Sequence, residues 1–308
     1  MPLRGAGGEP VSFRATLGSH GLARLAPNEV DAGLTSLRTT VGLRDGRARQ
    51  IVVTEDPPGE IAIAIAGREP SAQTRAEIAA IVRVMFYLDD DLSRFYAQLM
   101  SDGELSFAAA DGVGRMLRSP TAFEDIVRTI CTTNCAWSGT ERMIDALVAH
   151  LGTAAPGAPA NGWRGRAFPT PQQVAHADEN FYRDVARAGY RGPYMRAFAA
   201  SVVRGEVDVE GWRAASRAEL SDDELEERLL ELPGVGPYAA AHIMLLFGRC
   251  SRLVLDSWTR PRYAQLMGKK KIADRTIARR FKLYGDYAGL AFWLLLWKAR
   301  HLGDEKHG

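Results

Sequence analysis

Two features of the sequence, twenty residues apart, could do chemistry together. The first is Leu232-Pro233-Gly234-Val235-Gly236-Pro237, which reads as a hairpin between two helices. Its glycines let the backbone turn tightly and approach a ligand with no Cβ atoms in the way. The helix that follows presents free N–H groups and a partial positive charge, both suited to a phosphate. An ordinary αα-hairpin with a glycine-rich turn would read the same way. The second feature is Asp256, which ends the apolar run Leu253-Val254-Leu255 and precedes Ser257-Trp258-Thr259-Arg260. A fixed carboxylate can stabilise positive charge in a transition state and can orient or deprotonate a water. A helix beginning after it would favour its negative charge, and Asp256 could equally cap that helix. All six lysines (Lys269, Lys270, Lys271, Lys282, Lys298 and Lys306) follow residue 268, so no Schiff-base amine lies near the hairpin in sequence.

The elements that must hold these groups are mostly helical. Ser221-Asp222-Asp223-Glu224 has the form of a capping box, so a helix is expected from 221 to about 232. A second helix should run from 238 to about 247 and stop at Gly248. Residues 75–100 and 121–151 carry apolar side chains at helical spacing, and 152–168 is a Gly-, Ala- and Pro-rich flexible loop. Residues 11–67 read as β-rich, with runs at 13–17, 50–54 and 61–66 separated by Arg44-Asp45-Gly46 and Asp56-Pro57-Pro58-Gly59. The expected fold is mainly α with an N-terminal antiparallel β domain, an α+β arrangement. Residues 1–70 form that domain and 71–308 a helical body containing the helix-hairpin-helix at 221–248, with the last helix packing back on the N-terminal part.

Composition narrows the classes. The chain of 308 residues can hold two or three cored domains, and it has no apolar run long enough to span a membrane. Its N-terminus, Met1-Pro2-Leu3-Arg4, lacks a secretory apolar core, so a cytoplasmic location is expected. Cys131, Cys135 and Cys250 are too few for an iron–sulfur cluster, and four-residue spacing in a helix suits buried small residues. Asp89-Asp90-Asp91 would point in different directions on a helix and reads as exposed. From residue 251 onward thirteen Lys or Arg face five Asp or Glu, a net +8, which leaves −6 for the first 250 residues of a chain with a total of +2. Such asymmetry fits a polyanion-facing surface or a solvated helix face. Lys269-Lys270-Lys271 with Arg275, Arg279, Arg280 and Lys282 could reach phosphates and make binding salt-sensitive.

The hairpin, the apolar helix after it, and Asp256 at twenty residues from Gly236 together resemble the helix-hairpin-helix DNA glycosylase superfamily. The resemblance implies excision of a damaged base, with Asp256 stabilising oxocarbenium-like charge on the sugar as the base leaves. It implies a flipped base in an aromatic-walled pocket, for which Tyr238, Trp258, Trp137 and Phe292 are the candidates. Gly234, Val235 and Gly236 would meet the DNA backbone, with Arg260 beside them. Core packing is the competing reading for each aromatic.

Strand-nicking members carry a lysine two residues after the second hairpin glycine, where this chain has Tyr238. The resemblance therefore implies a monofunctional enzyme. Ile130-Cys131-Thr132-Thr133-Asn134 and Gly189-Tyr190-Arg191 look like segments of 8-oxoguanine DNA glycosylases. In those, Asn134 would fill the space left by the flipped base, Tyr190 would wedge the helix and Arg191 would contact the orphaned partner base. A satisfied helix residue and a surface loop are the alternatives. Phe292 stands where that branch has a base-reading Gln, and an aromatic there suits an alkylated base, as in the 3-methyladenine branch. The expected partner is damaged double-stranded DNA, bound by a monomer without organic cofactor. The superfamily's hairpin also implies a possible Na⁺ or K⁺ on the backbone carbonyls of Leu232 and Val235, with no side-chain metal ligands. The rivals are a bifunctional glycosylase-lyase for oxidised purines, using an amine such as Lys282, and a non-enzymatic protein that binds distorted DNA through the hairpin.

Overall fold

The computed structural model describes residues 1–301; Lys306, and with it the last seven positions of the expected helical body, lies outside the described residues. The N-terminal part is an antiparallel meander of β1 (Glu29–Val30), β2 (Ser36–Gly42), β3 (Ala48–Glu55) and β4 (Ile61–Ile65), in that spatial order. Leu37 faces Val53, and Val53 faces Ile63 across the next ladder, so β-branched and aliphatic pairs fill one face.

The segment 13–17, expected as a strand, is instead the helix α1 (Phe13–Leu17). The Ser12 hydroxyl caps it by accepting from the Ala15 amide, a local bond that prevails over the strand preference of Phe13 and Thr16. Helix α2 (Ala72–Met85) lays Ile78, Val82 and Met85 against the sheet, so the sheet's core takes in residues beyond 70. The helical stretch expected over 75–100 breaks between α2 and α3 (Ser93–Leu99), where Tyr87 takes a positive φ. In that break Asp90 pairs with Arg118 at 3.1 Å and Asp91 accepts from the Ser93 amide, while Asp89 pairs with Arg83.

The helical body continues through α4 (Ser106–Ala110), α5 (Ala122–Thr132), α6 (Trp137–Leu151), α7 (Pro171–His176), α8 (Arg191–Val203) and α9 (Val209–Ala214). It ends with α10 (Asp222–Leu230), α11 (Pro237–Leu246), α12 (Thr259–Leu266), α13 (Asp274–Phe281) and α14 (Ala288–His301). The stretch 121–151 is thus two helices, parted at Thr133–Ala136, and Asn134 sits in the gap with φ +45°. One large core joins α5, α8, α10, α11 and α14 through Ile126, Ile130, Phe198, Leu225, Ile243 and Leu290. No helix among the described residues is long and apolar enough to cross a membrane.

Two devices bring distant segments to the site. Arg128, buried on α5, pairs with Glu124 and donates to the carbonyls of Leu22 and Leu25 at 3.0 and 3.3 Å. That clamp fixes the turn carrying His20 against α5. On α14, Trp293 and Trp297 donate their indole N–H groups to the carbonyls of Ser19 and Gly18 at 2.9 and 3.1 Å. The last helix therefore reaches the N-terminal segment just where His20 lies.

Candidate active site

The hairpin forms as a turn closed by the Val235 amide on the Leu232 carbonyl at 3.1 Å, with Gly234 at φ +82°. A side chain at Gly234 would be strained by that φ and would press on the Tyr194 ring. The capping box of Ser221 and Glu224 starts α10 on one side. On the other, Gly236 precedes Pro237 at the first position of α11, where the absent proline N–H costs no bond. The amides of the first turn of α11 are left pointing out of the hairpin, as any helix start leaves them.

The Asp256 segment is held from three sides. Arg249, buried, donates to the Leu220 carbonyl at 2.5 Å and to Asp222 at 2.7 Å. Arg252 pairs with Glu226 at 2.6 Å and with Asp223, both on α10. From α14, Gly289 donates its amide to the Cys250 carbonyl at 2.7 Å, so close that a Cβ would overlap the Arg252 carbonyl. Asp256 itself is half-buried. Its Oδ1 accepts from the amides of Trp258 and Thr259 at 2.8 and 2.6 Å, and Thr259 Oγ1 accepts from the Asp256 amide at 2.8 Å. The aspartate is thus a cap of α12, as one of the sequence alternatives held. That role occupies one oxygen; Oδ2 has no hydrogen-bond partner among the described residues.

Around this carboxylate lies a row of rings. Tyr238, at the start of α11, meets His242 one turn later with ring centroids 6.1 Å apart. His242 is edge-on to Trp293 at 5.8 Å and to His20 at 5.9 Å, and Trp293 is tilted against Trp258 at 6.2 Å. The hydroxyl of Tyr238 lies 3.2 Å from that of Thr132, whose own proton goes to the Thr129 carbonyl at 2.7 Å. Tyr238 therefore donates to Thr132. Burial pushes the Tyr238 pKa up, and the negative charge of Asp256 adds to the rise. Trp258 is 43% exposed, the open end of the row.

Four residues expected at the site have other work. Phe292 is fully buried against Tyr263 and Phe281 in the core; the α14 side chain that joins the row is Trp293, one residue on. A helix turns about 100° per residue, so that single step separates core from site. Arg191 is 8% exposed and gives its guanidinium chiefly to the carbonyls of Thr133 and Asn134, beneath the Tyr190 ring. Arg260 forms a two-bond pair with Asp274 at 2.9 Å, although it remains on the surface. Trp137 donates to Glu141 and rests on Gly21, next to His20 but off the row. Asn134 is exposed and its amide reaches the Tyr190 hydroxyl at 3.4 Å; Tyr190 is 49% exposed and meets Tyr194 edge-on.

Sequence reasoning missed His20, His242, Thr132 and Trp293. A signal for one was present: His242 interrupts Ala239-Ala240-Ala241 and Ile243-Met244-Leu245-Leu246, four residues after Tyr238 and so on the same helix face.

No protein-family model matches the chain. A protein of Methanothermobacter thermautotrophicus named probable N-glycosylase/DNA lyase is 27% identical over 246 residues, 72% of this chain and 75% of that one. A 3-methyladenine DNA glycosylase from Archaeoglobus fulgidus superposes with a TM-score of 0.72 at 17% identity, covering 97% of both chains. The 8-oxoguanine glycosylase/lyase of Clostridium acetobutylicum, in complex with double-stranded DNA, gives 0.64 at 18% identity, covering 91% of this chain and 99% of the other. These likenesses span both branches suggested by the motifs. The chain thus has the fold of the helix-hairpin-helix DNA glycosylases, and over most of its length its sequence is similar to that of a protein named as a probable N-glycosylase/DNA lyase.

Proposed function

We propose that the chain is a monofunctional DNA glycosylase. It would act alone on duplex DNA, hydrolyse the N-glycosidic bond of a flipped, alkylated base, and leave an intact abasic site. The observation that carries this reading is the pairing of Asp256 with Tyr238. A carboxylate with a free oxygen stands beside a phenol whose proton is committed to Thr132 and whose ionisation is disfavoured, and not beside an amine. The described lysines begin at Lys269, at the far end of α12. With a phenol and not an amine at position 238, water is the nucleophile in this reading.

In this mechanism the hairpin amides and Gly234 engage the phosphate backbone, which positions the duplex without reading sequence. The carbonyls of Leu232 and Val235 fit a monovalent cation, since the first keeps a lone pair beyond its bond to Val235 and the second accepts no bond among the described residues. Such an ion would add positive charge on the phosphate side. Asn134 and the Tyr190 ring, braced by Arg191, would occupy the gap left in the stack. The base would lie against Tyr238, Trp258 and Trp293, whose electron-rich faces favour an electron-poor alkylated ring. Asp256 would then stabilise the sugar's positive charge through Oδ2 and orient the water.

The name of the Methanothermobacter relative favours a second reading, glycosylase and lyase together. Borohydride reduction during turnover separates the two. The monofunctional enzyme gives no covalent protein–DNA adduct and breaks the strand only after hot alkali. A trapped adduct, lost on substitution of Lys282 or another lysine, would replace it with the lyase reading.

A further inference from the structure

The site holds two histidines that the mechanism above does not use. His242 is 4% exposed, and neither of its ring nitrogens has a partner. His20 is equally enclosed; its Nε2 lies 2.7 Å from the Leu117 carbonyl and its Nδ1 has no partner. Because a carbonyl only accepts, Nε2 of His20 carries the proton and Nδ1 presents a lone pair. Burial lowers the pKa of His20 to about 3, helped by His242 and Arg128, and that of His242 to about 4. Both rings are neutral, so His242 offers one N–H and one lone pair.

Buried polar atoms are ordinarily paired, and three orphaned ring nitrogens in one place call for a reason. Their surroundings supply it. His242 touches Tyr238 and Trp293, the rings around Asp256, and the clamps from Arg128 and Trp293 hold His20 opposite it. The histidines form the polar back of an otherwise aromatic row, whose exposed end is Trp258.

We propose that His20 and His242 read the edge of the flipped base, and that the substrate class is a base presenting a hydrogen-bond donor beside an acceptor. This rests on the glycosylase reading and deepens it. The base N–H would donate to His20 Nδ1 while the neighbouring acceptor takes the N–H of His242. Among alkylated bases, adenine alkylated at N3 meets the requirement, since its 6-amino group and N7 remain intact. Substitution on the amino group or at N7 spoils the match.

The test uses the full chain and duplexes carrying one stable lesion analogue. One duplex holds 3-methyl-3-deazaadenine, a second its N6,N6-dimethyl derivative, and a third a tetrahydrofuran abasic analogue. Wild type should prefer the intact edge over the blocked one by at least about tenfold, because a blocked edge leaves buried site groups unpaired. His242→Phe should reduce that ratio to near one while binding the tetrahydrofuran duplex as before. His242→Gln, which keeps a donor and an acceptor, should restore part of the preference. No preference in the wild type, or an undiminished one in His242→Phe, overturns the edge reading. Base release from a 3-methyladenine duplex is followed alongside: loss of the edge preference with Asp256-dependent release intact defeats only the edge reading. If no base is released from any lesion duplex and Asp256→Asn binds as wild type does, the glycosylase reading falls and takes the edge reading with it.

Discussion

Asp256 has a structural bond on one oxygen and, in the proposed mechanism, a chemical task on the other. Oδ1 is fixed by the Trp258 and Thr259 amides, which aims the carboxylate and leaves Oδ2 for chemistry. A side chain pinned in this way loses little freedom when it acts, which is how a positioned charge outperforms a mobile one. The rings near it divide differently. Trp258 is exposed and, among the described residues, its ring borders the row through Trp293, so its removal should scarcely affect folding. Trp258→Ala is expected to lower kcat/KM for base release by roughly 10- to 100-fold, the worth of one lost base–aromatic stack of about 1–3 kcal/mol. Its Tm should stay within a degree or two of wild type, and unchanged kinetics would remove Trp258 from the site. At this scale the sequence was readable where type and spacing agree: Asp256 and Tyr238 were singled out from it, and the fold brings the charge of one to bear on the phenol of the other. It misled where one residue of helical phase decides, as with Phe292 and Trp293. Nor could it show that Arg191 donates to the carbonyls of Thr133 and Asn134, because the break that exposes those carbonyls depends on the positive φ at Asn134.

Among the elements, the α10–α11 hairpin and the 250–256 segment form one unit, stapled by Arg249 and Arg252 and pressed on by α14 at Gly289. Gly289→Ala forces α14 or the Asp256 segment to move. We expect a loss of about 1–3 kcal/mol in stability, the usual result of overpacking, and a fall in turnover larger than any fall in DNA affinity. Urea denaturation and a binding titration on the same preparation would show it; a variant equal to wild type in both would mean that this contact does not position Asp256. The hairpin was legible because capping boxes, prolines and glycines are local signals with local causes. The helix α1 was not, because the apolar alternation over 13–17 satisfies either period in so short a run, and the Ser12 cap decided it. The broken helices at 86–92 and 133–136 were likewise hidden, since tertiary bonds such as Arg118 to Asp90 and Arg191 to Thr133 hold the breaks open.

At the scale of the molecule, the N-terminal segment and the last helix meet at His20, which is how residues 222 positions apart share one site. The arrangement has a cost in acid. The unfolded chain takes up protons on both histidines below pH 6.5, whereas the folded chain resists until about 4 for His242 and about 3 for His20. The stability linked to the neutral rings is fully present above pH 6.5 and falls as the pH drops toward 4, by roughly 2 kcal/mol per histidine at pH 5. Wild type should therefore lose more Tm between pH 7 and pH 5 than the double variant His20→Gln, His242→Leu, with the background loss from carboxylates common to both. Equal losses would mean that the imidazoles are not held neutral by the fold.

The account turns on Asp256 acting through water. Its most direct test is release of the base from duplexes with a single 3-methyladenine, 8-oxoguanine, hypoxanthine or uracil, by wild type and Asp256→Asn, with and without hot alkali. The proposed mechanism predicts release by the wild type from at least one duplex, strand breakage only after alkali, and a fall of at least about 10²-fold in Asp256→Asn with DNA binding retained. Release undiminished in Asp256→Asn, or strand breakage by the wild type without alkali, would contradict it.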